Sequence, residues 1–470
     1  METNLFRNIK TISKGRKTAS WIVRAAAVAA AAAVFSVYLY KNWKNYDPIS
    51  LLAAFLSIAG FAAVFWLAAP RLIDLICGDN EFSSAEVTIK ERSRTFVFIC
   101  IGALAIHIVT FLLGVFVFKW FNASPNATFA YCFRTSWMKS NTDAGHYITI
   151  AENWYVREGN DKLLIVFFPM LPVLMRALNF ITRDSYVSAL IINSTATALA
   201  SGMIYLTFVP VMGDKRSKAG AFIALLLPGA IFLNSPMTEP LFLLFSACAF
   251  CFMQKRLYVP AGIFTALAGF TRSLGVLIAV PIALVGIGHL AGLIKRKRPI
   301  AKTLVLLLLG LLISTFGTLG YLAINYSIHG DCLKFFEFQW SNWHQKACPF
   351  FDTVRYITKY SMQNAVEAPP KFWSLWFPQL VCIFASLLLV GSKARKLPAS
   401  YTVFFLCYFA VAVGCTWLLS SVRYLSACLP LIAAAAMLCN KKLGAAAVFS
   451  LTVVLYAVYL VMYMMRMSVY

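Results

Sequence analysis

Long apolar stretches alternate with short polar segments along the whole chain. A helix of about 20 apolar residues can cross a bilayer and satisfies its own backbone hydrogen bonds there. The pattern therefore predicts an all-α polytopic membrane protein with a bundle of about 11–13 transmembrane helices. The segments drawn from it are 21–40, 49–69, 95–119, 185–210, 219–234, 238–254, 257–271, 273–294, 303–327, 374–391, 400–420, 424–439 and 443–464.

The overall composition agrees with this interpretation. Of the 470 residues, 60% are hydrophobic and only 13% are charged, which is too little charge to cover a soluble protein of this size. The net charge of +24 would suit a nucleic-acid-binding protein. In a membrane protein it is explained by Lys and Arg in cytoplasmic loops, so membrane lipids and no nucleic acid are the expected partners.

Charge also predicts the orientation of the chain. With a cytoplasmic amino terminus, the inside segments hold 25 of the 42 basic residues and 7 of the 18 acidic ones. The basic run Lys295–Arg298 is among them, and this bias is typical of the cytoplasmic side. Two long loops, 120–184 and 328–373, then lie outside. The inside segments are 1–24, 70–94, 211–218, 255–256, 295–302, 392–396 and 440–442.

The chain divides into two parts at a mixed-charge segment. Residues 1–94 are predicted to be an amino-terminal two-helix membrane extension, and 95–470 the transmembrane core with the outer loops 120–184 and 328–373. Within the first loop, Lys162 to Ile181 alternates apolar and polar positions, which predicts an amphipathic piece on or re-entering the membrane interface. No internal repeat is visible, which weakens an inverted-repeat transporter interpretation.

The first outer loop carries candidate chemistry in the run Asn141–Tyr155. If this run is helical, Asp143, His146 and Tyr147 share a face, because residues three and four apart are neighbours on a helix. A carboxylate at the membrane edge can act as a general base. The alternative is that Asp143 only caps the helix and His146 only satisfies the loop.

Further ionisable residues stand at predicted outer ends of helices. Glu239 begins an apolar helix, where an acid suits the helix dipole and need do nothing more. Arg272 and Arg423 each interrupt apolar sequence. Charges at membrane depth are costly and are often functional or paired, although both arginines could instead extend to the interface.

One carboxylate with cationic neighbours suits group transfer from a phosphate-activated donor. The base would take the proton of an acceptor hydroxyl, while Arg or His neutralises the departing phosphate. An outer site cannot readily use cytosolic nucleotide sugars, whereas a polyprenyl-phosphate-linked sugar would fit. The sequence has no glycine-rich phosphate loop and no metal-ligand spacing, so neither a nucleotide cofactor nor a metal is predicted.

These residues resemble motifs of the PIG-V family of mannosyltransferases, which add the second mannose of the glycosylphosphatidylinositol anchor and have bacterial relatives. The resemblance covers about residues 95–435, with the motifs in the expected order. They are Asp143-Ala144-x-His146-Tyr147-x-x-Ile150-Ala151-Glu152-x-x-Tyr155, Phe167-Phe168-Pro169-x-x-Pro172, Ser235-x-x-Thr238-Glu239-x-Leu241-Phe242, Thr271-Arg272-Ser273-x-Gly275, Gln339 with Trp343, and Arg423-Tyr424 with Pro430.

The resemblance implies a GT-C glycosyltransferase, an inverting, lipid-phosphate-sugar-dependent enzyme with its acid in the first outer loop of the core. Asp143 would be the catalytic base. The donor would be polyprenyl- or dolichyl-phosphate mannose, and the acceptor a glycolipid, glycan or protein outside the cytoplasm. The residues expected to bind the donor phosphate or substrate are His146, Tyr147, Glu152, Glu239, Arg272, Gln339, Trp343 and Arg423.

The chain departs from the family pattern at two positions. Thr142 precedes the acid where the family usually has Trp, and Leu274 replaces the Asn of the arginine turn. Two alternatives therefore stay open: a membrane transporter or lipid flippase, and a non-catalytic member of the same fold. The expected membrane is a bacterial plasma membrane, or the endoplasmic reticulum in a eukaryote, with the active site non-cytoplasmic. No oligomeric state is predicted.

Overall fold

A computed structural model of the chain describes residues 14–82, 88–139 and 142–470. Glu2, Glu86 and Asn141, which entered the charge count and the first motif, lie outside the described residues. So do parts of the predicted extension 1–94.

The described residues fold into helices, and their one β element is an isolated bridge between Ala347 and Cys415. The α-helices are α1 Lys14–Asn42, α2 Pro48–Ile76, α3 Ile89–Asn122, α4 Phe129–Thr135, α5 Asp143–Asn153, α6 Met170–Thr182, α7 Ser185–Met212, α8 Asp214–Leu226, α9 Glu239–Gln254, α10 Tyr258–Thr271, α11 Ala279–Lys295, α12 Ala301–His329, α13 Lys334–Trp343, α14 Phe350–Glu367, α15 Pro369–Lys371, α16 Phe377–Lys393, α17 Ala399–Val413, α18 Ser421–Ser426, α19 Leu429–Ala436 and α20 Lys442–Met464. Shorter helical turns are Trp43–Asn45, Asn160–Val166, Pro228–Asn234, Ser273–Ile278 and Phe372–Trp376.

Eight of the described helices are long and apolar enough to cross a membrane, and each coincides with a predicted segment. This confirms the prediction of an all-α polytopic membrane protein. The eight are Gly15–Asn45, Pro48–Ile76, Lys90–Asn122, Ser185–Met212, Ser273–Lys295, Ala301–His329, Pro369–Lys393 and Lys442–Met464.

The other five predicted segments are shorter or broken. Three are the apolar helices α9, α10 and α17, of 14 to 16 residues. At 1.5 Å per residue such helices span roughly 21–24 Å, less than the ~30 Å hydrocarbon core. Segment 219–234 bends by 73° where Pro228 follows α8, and 424–439 splits into α18 and α19. Spanning helices in the described residues number eight, or up to ten with bent pairs, below the predicted 11–13.

The amphipathic piece predicted between Lys162 and Ile181 is two short helices. The turn Asn160–Val166 and α6 meet at 112°, a geometry typical of a broken span or a re-entrant loop. Phe167, Phe168 and Pro169 form the corner. The bend places Phe167 against His146 and Tyr147 of α5.

The two amino-terminal helices differ in their packing. The membrane-crossing stretch of α1 has no buried residue, and this helix packs mainly on α2. In contrast, α2 contacts α11, α14, α16 and α17 of the core. Just before α2 begins, the Tyr46 hydroxyl donates to Asp352 Oδ1 at 3.1 Å. The division at residue 94 stays a prediction, and α2 is part of the packed bundle.

Loops that charge placed on the inside meet at one end of the bundle. Arg71 Nε donates to the Arg395 carbonyl oxygen at 3.0 Å, and Lys295 Nζ donates to the carbonyl oxygen of Cys77. These contacts join segments 70–94, 295–302 and 392–396. The candidate site residues of α5, α9, α10 and α18 gather at the opposite helix ends.

Candidate functional site

The helix predicted from the first motif is α5, which begins at Asp143. The position before the helix belongs to Thr142, whose hydroxyl donates to the Lys139 carbonyl oxygen at 2.7 Å and makes no cap hydrogen bond. The Asp143 Oδ2 atom lies 2.7 Å from Arg423 Nη2. The carboxylate is thus engaged in an ion pair between distant parts of the chain.

Four charged residues form one ion-pair cluster: Asp143, Glu239, Arg272 and Arg423. Glu239 is its centre, because Oε1 pairs with Arg272 Nη1 and lies 3.1 Å from Arg423 Nε. The contact between Arg423 Nε and Glu239 is an ion pair whose angle does not meet that of a hydrogen bond. The second oxygen of Glu239, Oε2, has no hydrogen-bond partner among the described residues. The cluster joins four predicted outer helix ends and has no net charge.

Burial within this ion-pair cluster is uneven. The side chains of Glu239 and Arg423 are 3% and 6% exposed, and that of Arg272 is 12% exposed. Neither arginine extends to the surface, so the interface alternative does not describe them. Asp143 is 28% exposed, which makes it the member that an incoming molecule reaches first.

Aromatic rings flank both guanidinium groups. The Tyr424 ring centroid lies 4.7 Å from Arg272 Cζ and 5.1 Å from Arg423 Cζ. Phe232 contacts Arg423 from another direction at 5.5 Å. Cations over ring faces are stabilised by the ring quadrupole, most when water is excluded. The rings therefore hold both cations in place without neutralising them.

A tight turn after α10 positions Arg272. The Gly275 amide donates to the Arg272 carbonyl oxygen at 2.9 Å. A Cβ at Gly275 would lie 2.1 Å from the Ala268 carbonyl carbon, closer than real Cβ contacts come. Only glycine fits there, which gives a physical reason for the last position of the Thr271-Arg272-Ser273-x-Gly275 motif.

Glu239 is positioned by the preceding loop. Asn193 Nδ2 of α7 donates to the carbonyl oxygens of Ser235 and Met237, at 2.6 and 3.1 Å. The Ser235 hydroxyl donates to the Trp137 carbonyl oxygen at 2.8 Å. Sequence reasoning missed Asn193, although an amide in the middle of an apolar helix is the kind of signal that could have found it.

Arg423 is positioned by a second buried amide. Ser421 Oγ, at the start of α18, donates to Gln379 Oε1 of α16 at 3.2 Å. Gln379 is 1% exposed and was also missed from the sequence. Arg423 Nη2 donates to the Tyr424 hydroxyl at 3.4 Å.

Beside the ion-pair cluster lies a set of rings centred on Phe167. His146 stacks on Phe167 with centroids 4.9 Å apart, and Tyr147 meets it edge-on at 5.5 Å. Trp343, at the end of α13, also meets Phe167 edge-on at 5.8 Å. His146 and Tyr147 of the first motif thus converge with Trp343 of a later motif on one ring.

Tyr147 links these rings to the charges. Burial is the main cause that raises the pKa of its hydroxyl above the usual range, and the negative charge of Asp143 is the second. Its electrostatic partners also include Arg272 and Glu239. Tyr147 therefore stays a neutral phenol that can donate a hydrogen bond beside the carboxylates.

Two predicted site residues lie apart from these contacts. Glu152 is exposed, and nine residues after Asp143 it falls on the opposite face of α5, because each helical residue turns 100°. Arg176 donates to its backbone oxygen, and no described residue binds its carboxylate. Gln339 donates to Gln345, whose Nε2 donates to the Trp417 carbonyl oxygen at 2.8 Å. Gln339 thus supports the outer loop from which Trp343 extends.

No family model matches this chain, and no curated protein sequence is detectably similar to it. Within the described ranges, no group of three or more His, Cys, Asp or Glu side chains could hold a metal ion. The site is therefore defined by its own chemistry: a partly exposed carboxylate, two buried guanidiniums held by a second carboxylate, and a wall of aromatic rings.

Proposed function

We propose that the protein is an integral membrane glycosyltransferase, specifically a mannosyltransferase, that moves a hexose from a polyprenyl-phosphate donor to an acceptor hydroxyl. The observation that carries the proposal is the convergence of Asp143, Glu239, Arg272 and Arg423 in one cluster at one end of an all-helical membrane bundle. The motif resemblance supports the same assignment.

In this proposal Asp143 is the general base. It takes the proton of the acceptor hydroxyl, whose oxygen forms a bond to C1 of the sugar on the face opposite the phosphate. The bond between C1 and the phosphate oxygen breaks, and polyprenyl phosphate leaves with the bonding electron pair. The configuration at C1 is therefore inverted.

The two arginines stabilise the leaving phosphate. Guanidinium groups bind phosphate oxygens with short charge-assisted hydrogen bonds, and preorganised cations favour a transition state in which negative charge develops. Glu239 holds both guanidiniums in place, and its unpartnered Oε2 keeps an acceptor for a sugar hydroxyl. A phosphate departs without a strong general acid, so one carboxylate suffices for proton transfer.

Ion pairing gives the reaction an order. Arg423 contacts Asp143, so the base is held by the cation that the donor phosphate requires. When the phosphate takes Arg423, Asp143 loses that partner and is released to accept a proton. Donor binding thus prepares the base.

The rings around Phe167 form the wall for the substrates. Sugars stack their C–H faces on aromatic rings, and lipid chains pack on them. His146 and Trp343 lie on this wall, and His146 carries ring nitrogens within the same helix face as Asp143. The ion-pair cluster would bind the phosphate of the donor, and the wall of rings would contact its sugar and its lipid.

The test is transfer by purified protein in lipid nanodiscs, with radiolabelled polyprenyl-phosphate mannose and a panel of glycolipid and peptide acceptors. Mannose transfer is expected with the lipid-linked donor and not with GDP-mannose. Uptake of a labelled solute or lipid across vesicles, without any sugar transfer, would favour the transporter or flippase instead. No transfer from any lipid-phosphate sugar would refute the proposal.

A further inference from the structure

A cleft with several charged side chains in its wall lies between α1 and α2, at the opposite end of the bundle from the ion-pair cluster. Its volume is about 160 Å³, well above the roughly 10–15 Å³ that a single water needs. Arg16, Lys17, Ser20, Arg24 and Asp74 line it. This end carries the basic loops that charge assigns to the cytoplasm, and the candidate transferase chemistry makes no use of it.

The cleft contains an unsatisfied donor. The Ser20 hydroxyl is buried, with the residue 6% exposed, and has no hydrogen-bond partner among the described residues. A serine on a helix can bond to its own preceding turn. This one does not, although leaving a buried hydroxyl unpaired costs free energy. Its presence in the wall of a cleft points to a ligand that accepts a hydrogen bond.

The charges lining the cleft are mostly positive. Arg16 pairs with Asp74 at 3.1 Å and with Asp79 at 2.6 Å. No carboxylate of the described residues pairs with Lys17 or Arg24. Three cations and one carboxylate therefore face the cleft, and two of the cations are uncompensated within it. An anion is the ligand that this arrangement favours.

Two tryptophans place the cleft at the membrane surface. Arg24 lies over the rings of Trp21 and Trp66, at 5.5 and 5.2 Å, and its Nε donates to the Trp66 carbonyl oxygen at 3.0 Å. Trp is enriched where lipid headgroups meet the hydrocarbon. The spanning stretch of α1 has no buried residue, so lipid molecules reach this helix directly.

We propose that this cleft binds the phosphate of an anionic membrane lipid. The Ser20 hydroxyl donates to a phosphate oxygen, Lys17 and Arg24 neutralise its charge, and the acyl chains lie along the exposed face of α1. The bound lipid fastens the peripheral helix α1 to α2. The proposal concerns the amino-terminal helices and does not depend on the transferase assignment.

The test is native mass spectrometry of the delipidated full-length protein, titrated with phosphatidylglycerol, phosphatidylcholine or inorganic phosphate. Wild type is expected to retain phosphatidylglycerol well above phosphatidylcholine. The double variant Lys17→Gln with Arg24→Gln should bind phosphatidylglycerol about tenfold or more weakly, since each surface cation contributes about fivefold. Ser20→Ala removes only the hydroxyl and should weaken retention severalfold.

The matched control is Lys302→Gln with Lys441→Gln, which removes two exposed basic residues from other predicted inside segments. It should retain phosphatidylglycerol as wild type does. Equal loss in the control, or unchanged retention in both cleft variants, would overturn the proposal. Equal retention of phosphatidylcholine would do the same. Displacement of the lipid by inorganic phosphate at similar concentrations would assign the cleft to free phosphate and overturn the lipid assignment.

Discussion

The Oδ2 atom of Asp143 lies 2.7 Å from Nη2 of Arg423, joining the first outer loop to the carboxy-terminal part of the core. Glu239 Oε1 lies 3.1 Å from Nε of the same guanidinium. In the proposed transfer, a donor phosphate that binds Arg423 at Nη2 takes the place of Asp143. The base and the phosphate would then compete for one cation, and this competition makes a distinct prediction for donor affinity.

Asp143→Asn and Arg423→Gln should separate binding from chemistry. In Asp143→Asn the phosphate no longer competes with a carboxylate, so the Kd for a non-hydrolysable polyprenyl-phosphonate sugar should be unchanged or lower. In Arg423→Gln the phosphate loses a cation, and the Kd should rise by tenfold or more. Fluorescence titration of both variants measures this. An increase in Kd of the same size in both would contradict the competition.

Glu239→Gln should destabilise the protein strongly. Removing one partner of a buried ion pair leaves a charge uncompensated, which costs about 3–5 kcal/mol. A cost of about 3 kcal/mol is expected, because Arg423 still has its ion pair with Asp143. Thermal unfolding in detergent should show a lower apparent Tm than for Glu337→Gln, whose 60% exposed side chain pairs with Lys334. That control should change stability by no more than about 0.5 kcal/mol. Similar Tm values for the two variants would refute a structural role for Glu239.

Gly275→Ala should damage the turn that holds Arg272. The added methyl would meet the α10 backbone at Ala268, so α10 or the turn must shift, at a cost of about 1–3 kcal/mol. Transfer activity should fall with it, since the guanidinium moves away from Glu239. Gly145→Ala is the matched control, because no atom lies within 4 Å of its added Cβ and alanine favours helix. If Gly275→Ala matched this control in Tm and activity, the turn would have no positioning role.

The long apolar runs were enough to predict the spanning helices, because their length and lack of charge decide that class of helix. The first motif also predicted a helical face, and α5 places Asp143, His146 and Tyr147 as three-and-four spacing requires. The shorter helices α9, α10 and α17 were counted as spans on their apolar composition, although their 14 to 16 residues are few for a span.

The contacts between distant segments could not be predicted from spacing. Nothing local to Arg423 shows that it reaches Asp143, because the packing of α18 against the turn Pro228–Asn234 and α16 decides its position. Asn193 and Gln379 lie within apolar helices and were not predicted as site residues. Their hydrogen bonds nevertheless fix the loops that carry Glu239 and Arg423. Glu152 was included because the motif contains it, and the helix turns it to solvent.

Lys139 gives the site a pH dependence of stability. Burial, and next the positive charge of Arg466, lowers the pKa of Lys139 from its usual 10.5 to about 8. Between these values the folded chain binds fewer protons than the unfolded chain, so the free energy of unfolding rises with pH across the window. The rise should amount to at most about 3 kcal/mol.

Apparent Tm at pH 8 and pH 10 measures this effect in wild type and Lys139→Met. Wild type should gain stability relative to the variant as pH rises, even though Lys139 Nζ keeps its hydrogen bonds to the carbonyl oxygens of Met467 and Val469. Lys302→Met, at an exposed lysine, should follow wild type. A Lys139→Met profile parallel to wild type would mean that Lys139 is not the titrating group.

Asp143 is proposed to be the base of a lipid-phosphate-dependent sugar transfer. The most direct test compares mannose transfer from polyprenyl-phosphate mannose by wild type, Asp143→Asn and Asp161→Asn, each in nanodiscs at saturating donor. Asp161 is an exposed carboxylate of the same loop. The transfer rate of Asp143→Asn is expected to fall about 100-fold or more, while Asp161→Asn keeps the wild-type rate. Transfer by Asp143→Asn at the wild-type rate would contradict the proposal.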